Sequence, residues 1–86
     1  LTFSIKYLKK TQKDYDKLKQ HPVLYSNTKT LISKIKLNPY IGKKLRGEYK
    51  GAYSLRINDK HRIVYKIDEK QKVVAIMSLW GHYGDN

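Results

Sequence analysis

Apolar and polar residues alternate strictly through the middle of the chain. Tyr53, Leu55 and Ile57 alternate with Ser54 and Arg56. After Asn58-Asp59-Lys60, Ile63, Tyr65 and Ile67 are set against Arg62, Val64 and Lys66. A period of two is the repeat of a β-strand with one buried face. The pattern predicts two strands joined by a tight turn, with Asn and Asp supplying left-handed backbone. If both apolar rows share a core, Arg56 and Arg62 emerge together on the opposite face. Two permanent guanidinium charges on a rigid hairpin suit a phosphate.

The flanking segments follow other periods. Thr2–Tyr7 alternates Phe3, Ile5 and Tyr7 with polar residues and predicts a short first strand. Across Leu8–Gln20, the residues Leu8, Thr11, Tyr15 and Leu18 recur at helical spacing, and the His21-Pro22 step is the expected stop. Val23–Leu37 predicts a second helix, with Leu24, Thr28, Leu31, Ile32 and Ile35 on one stripe and Asn38-Pro39 at its end. Val73–Trp80 is apolar except for Ser78, which predicts a central strand covered on both faces. A strand, a helical hairpin and an antiparallel meander of three strands make an α+β fold, with the hairpin packed on the sheet.

At 86 residues the chain is read as a single domain, residues 1–86. It has no cysteine, so packing alone must hold it together. The lack of any long apolar run or signal-peptide pattern gives the expectation of a cytoplasmic protein with no membrane partner.

Charge changes the picture most. Nineteen Lys and Arg stand against seven Asp and Glu, a net +12, with a pI near 9.9. Such an excess attracts polyanions, nucleic acid first among them, with an acidic protein as a competitor. The most basic segment, Tyr40–Lys50, carries Lys43, Lys44 and Arg46 as candidate phosphate contacts, beside glycines that would let backbone approach a ligand. Three histidines without cysteine argue against a metal site, and no cofactor is expected. His21 reads as a helix-end residue. Near the end of the chain, Gly81 and Gly84 bracket His82-Tyr83. That pair would suit proton transfer and base stacking, or simple packing on a sheet edge.

The motifs LRG at 45–47, YSLRI at 53–57, HRIVY at 61–65 and the late His82-Tyr83 occur here in one order. In that order and spacing the chain resembles the RelE/ParE superfamily of bacterial toxin–antitoxin toxins, in its YoeB/Txe branch. The resemblance covers essentially the whole sequence. It implies a ribosome-dependent mRNA interferase that cuts mRNA in the ribosomal A site by attack of a ribose 2′-OH, without a metal. It implies as partners the bacterial ribosome with its mRNA and a cognate acidic antitoxin of the YefM/Axe kind, and leaves room for a homodimer.

Carried over by motif, Arg62 matches the family's catalytic arginine and His82 its terminal histidine. Tyr83 matches the adjacent substrate-orienting tyrosine, and Arg56 a supporting basic residue. The branch's glutamate, taken as the general base, has no counterpart: aligned on Leu45, its place holds Lys43. His82 is the first choice for the base and Glu48 the nearby carboxylate that could substitute. Two alternatives remain open at this point: a ParE-like inhibitor of DNA gyrase, and a non-catalytic RNA-binding relative.

Overall fold

The computed structural model describes residues 2–81. Strand β1 (Ser4–Tyr7) leads into α1 (Lys9–Leu18) and α2 (Pro22–Leu37). A two-residue strand β2 (Lys43–Lys44) follows, then β3 (Ala52–Arg56), β4 (Arg62–Asp68) and β5 (Val73–Ser78). The five strands form one sheet in the order β1-β5-β4-β3-β2. β1 runs parallel to β5, and every other pair is antiparallel. The expected α+β fold is therefore present, and the sheet is mixed because β1 joins the far side of the meander.

Proline punctuates the helical hairpin, though not where the sequence places the break. α1 ends at Leu18, and its chain closes with Lys19 N–H on Tyr15 O, Gln20 on Lys17 O and His21 on Leu18 O. Pro22 then opens α2, where its missing N–H costs nothing. His21 (φ −127°, ψ 87°) and Asn38 (φ −152°, ψ 94°) both leave the helical region, as residues before proline do. Asn38 Oδ1 also accepts the Tyr40 N–H at 3.1 Å and starts a 3-10 turn, Pro39–Ile41.

Both helices lie on one face of the sheet. Leu18, Ile32 and Ile35 pack there against Ile57, Ile63, Tyr65, Val74 and Ile76, all buried. The alternating rows of β3 and β4 thus share a core as the period predicts. Tyr65 is fully buried, and its hydroxyl donates to Pro39 O at 2.7 Å. Burial pushes its pKa up to about 12.

The opposite face carries a smaller cluster of Leu45, Ala52 and Val64, flanked by Tyr49 and Met77. This corrects the reading of β5 as covered on both faces. It lies between β1 and β4, but Val74 and Ile76 are buried under the helices while Val73, Ala75 and Met77 are only half-covered. Two helices are enough to roof one side of the sheet. On the other side, among the described residues, Leu45 and Tyr49 pack with Ala52, Val64 and Met77.

The turns also differ from expectation. Among the described residues the only non-glycine with positive φ is Lys72 (φ 56°), so Asn58 and Asp59 are not left-handed. Asn58 instead closes the β3–β4 connection with its side chain, whose Oδ1 accepts the N–H groups of Lys60 and His61 at 2.8 Å each. The basic segment's glycines have structural duties. A side chain at Gly42 would overlap the Tyr65 hydroxyl and meet Ser54 O at 3.0 Å, and Gly47 adopts φ +68° in its turn.

Candidate nucleic-acid interface

The face away from the helices gathers the cations. Arg56 and Arg62 are direct cross-strand partners, and Ser54 pairs with Val64 on β4 and with Lys43 on β2. Directly paired residues point to the same side of a sheet, so Lys43, Ser54, Arg56 and Arg62 share this face. Arg62 is half-buried, and its guanidinium donates to Ser54 Oγ at 3.4 Å; Ser54 itself is buried. That contact stiffens a side chain that would otherwise sample many rotamers. Arg56 is more open and has Asp59 Oδ1 4.0 Å from its guanidinium, both at the surface.

Adjacent lysines part company on β2. Lys44 pairs with Tyr53, whose ring belongs to the helix-side core, so it points away from the Arg56–Arg62 face. It lines a groove of about 640 Å³ with Tyr40, Arg46, Lys50, Tyr53 and Ile67, a groove that Leu45 and Ala52 of the small cluster line as well. Of the expected phosphate contacts, Lys43 joins Arg56 and Arg62, whereas Lys44 and Arg46 border that groove. Glu48 is exposed in a 3-10 turn, Gly47–Tyr49, rather than on a strand. Its neighbour Tyr49 packs on the small cluster, so the turn borders the cationic face.

His82 and Tyr83 lie outside the described residues. What the structure does give is the residue before them. Arg62 N–H donates to Gly81 O at 3.1 Å, and Gly81 N–H donates to His61 Nδ1 at 3.0 Å. The chain therefore passes into His82 from a point bonded to the backbone of Arg62.

Helix α1 secures that approach. Thr11, fully buried, donates its hydroxyl to Ile76 O and Met77 O at 2.9 Å each, and Asp14 Oδ2 accepts Leu79 N–H at 3.1 Å. Thr11 is buried with Leu18 as its helical spacing predicts, and its hydroxyl serves a register irregularity in the β4–β5 ladder. Sequence reasoning missed Ser54, His61, Thr11 and Asp14. Ser54 and His61 had a signal, lying within the YSLRI and HRIVY motifs, and Thr11 lay on the helical repeat; Asp14 had none.

Among the described residues no group of three His, Cys, Asp or Glu side chains could hold a metal ion, and no helix is long and apolar enough to cross a membrane. Two helices on one face of a mixed five-stranded sheet make the RelE-type toxin fold. The YoeB/ParE toxin from Agrobacterium tumefaciens has that fold, with a TM-score of 0.87 at 22% identity over 94% of this chain and 100% of that one.

The family follows from the sequence. The model of the YoeB-like toxins of bacterial type II toxin–antitoxin systems matches residues 7–83, and this chain belongs to that family, within the RelE/ParE superfamily. The YoeB dimer from Staphylococcus aureus is 30% identical over 94% of this chain and 98% of that chain, with a TM-score of 0.80. The YoeB–YefM complex from the same organism is 28% identical over the same shares, with a TM-score of 0.81. No curated protein sequence matches the chain.

Proposed function

We propose that this toxin is a ribosome-dependent mRNA interferase that cleaves mRNA in the ribosomal A site and so stops translation in the cytoplasm. One observation carries the reading. Arg56 and Arg62 stand opposite each other on the β3–β4 ladder, and the Arg62 backbone N–H donates to the carbonyl of Gly81, the residue leading into His82.

In the reaction, the 2′-oxygen attacks the adjacent phosphorus, the bond from phosphorus to the 5′-oxygen breaks, and a cyclic phosphate and a 5′-hydroxyl result. Arg62 meets the negative charge that develops on the phosphorane, and the Ser54 contact keeps its guanidinium aimed. Arg56 and Lys43 hold the flanking phosphates. His82 takes the 2′-OH proton and later returns it to water, a solvent water gives the leaving 5′-oxygen its proton, and Tyr83 orients the substrate by stacking. Glu48 is the substitute base: its turn borders the same face.

The Staphylococcus aureus relatives are a YoeB–YefM complex and a YoeB dimer. By analogy this chain has a cognate antitoxin, drawn to the +12 surface by charge, and a second copy of itself as partners.

Primer extension on mRNA from translating ribosomes tests the reading. Wild-type protein should give cuts in register with codons. His82→Gln should lose them and Glu48→Gln should stay within about threefold, whereas the reverse pattern would make Glu48 the base. DNA breaks without mRNA cuts would replace the nuclease with the gyrase reading.

A further inference from the structure

Gly81 is held through both of its backbone polar groups by two consecutive residues. Its carbonyl accepts from Arg62 N–H, and its own N–H donates to the ring of His61. A ring nitrogen accepts a hydrogen bond only when it carries no proton, so this bond requires His61 with Nδ1 free and a proton on Nε2. The ring is fixed from other directions. It lies against Trp80 with centroids 4.2 Å apart, and Asn58 Oδ1 accepts the His61 backbone N–H. Trp80 is flanked in turn by His21, at 5.6 Å between centroids, and by Lys17 Nζ, 5.6 Å from the ring centre.

Gly81 has φ +101°, a conformation that glycine alone adopts without strain. A glycine there is also the residue with the most freedom to lose, so external bonds must hold it in place. The peptide that leaves Gly81 is planar, and anchoring its carbonyl sets the direction in which the chain continues.

We propose that His61 is a positioning residue: its unprotonated Nδ1 pins Gly81 and so fixes the point from which the chain enters His82-Tyr83. The catalytic half of this inference rests on the nuclease reading; the pinning of Gly81 does not. His61 acts through the backbone of the residue that precedes the proposed base.

Two variants separate positioning from general stability. His61→Asn places an oxygen acceptor near the position of Nδ1, whereas His61→Leu keeps an apolar contact with Trp80 and has no acceptor. Long-range 1H–15N spectra of the wild-type protein should find the His61 proton on Nε2. Hydrogen exchange at the Gly81 amide should be slow in wild type and in His61→Asn, and at least about tenfold faster in His61→Leu, while β3 and β4 amides exchange alike in all three. On ribosomes, His61→Leu should lower kcat about tenfold or more with little change in KM, and His61→Asn should recover most of it.

A proton found on Nδ1, or equal Gly81 exchange in wild type and His61→Leu, would overturn the pinning. Faster Gly81 exchange in His61→Leu with unchanged cleavage would overturn the catalytic half. If wild-type protein cleaves nothing, the nuclease reading falls, and the exchange measurement still decides whether His61 holds Gly81.

Discussion

Arg56 and Arg62 occupy directly opposed positions on β3 and β4, a pairing of like charges that weakens a sheet. Asp59 screens Arg56 only from the surface, at 4.0 Å. Stability is therefore given up where the fold concentrates positive charge. Arg56→Thr should melt at or above the wild-type temperature and still lose cleavage. Arg62→Ala should lose about 10²–10³ in cleavage rate, the usual effect of removing one electrostatic partner of a transition state. Paired thermal melts and primer extension check both. An Arg62→Ala protein as active as wild type would remove Arg62 from the mechanism.

Lys43 and Lys44 are adjacent in sequence and face opposite sides of the sheet. Lys43→Ala should weaken binding to a non-cleavable mRNA on the ribosome and lower its salt dependence by about 0.7 in logarithmic slope, the effect of one single-strand phosphate contact. Lys44→Ala should leave that slope unchanged. Titrations at several salt concentrations measure the difference. Equal effects from both lysines would mean that binding follows net charge rather than the face.

Gly42 backs onto the Tyr65 hydroxyl, so Gly42→Ala should destabilise the fold by about 1–3 kcal/mol through overpacking. Denaturant unfolding reads that cost directly. Cleavage by the folded fraction should be unchanged, because this glycine makes room for a core tyrosine and not for a ligand.

High pH should unfold the protein through its tyrosines. Burial raises Tyr65 to about 12, and the hydrogen bond with Tyr25, before burial, raises Tyr15 to about 12. From about pH 10 the unfolded chain releases these protons while the folded protein keeps them. Stability is thus fully present below pH 10 and falls as pH rises toward 12. Tyr65→Phe should cost about 1 kcal/mol at neutral pH, from the lost bond to Pro39 O, and should flatten the alkaline decline. Melting temperatures from pH 8 to 12 would follow it, and an unchanged slope in Tyr65→Phe would sink the assignment.

Strand periodicity made much of the cationic face legible. Side-chain direction in a strand depends only on parity, so Arg56 and Arg62 could be placed together before any contact was known. Helix ends were readable to within a few residues because proline acts on its immediate neighbour. The split of Lys43 from Lys44 was not readable, since it depends on whether two residues pair as an edge strand and in what register. The ring of His61 could not be assigned a role, because its partner lies twenty residues further along the chain.

Taken by itself, the sequence determined the alternating rows, the two amphipathic helices, the +12 charge and the motif order that places the chain among the YoeB-like toxins. All of these are properties of neighbouring residues or of their sum. The tertiary structure alone decided that β1 docks in parallel on β5, that Thr11 and Asp14 secure the end of β5, and that Gly81 is gripped between His61 and the Arg62 backbone. Those contacts join residues up to sixty-nine positions apart. Local patterning carries no information about them, because they form only once the core has brought distant backbone groups within hydrogen-bonding reach.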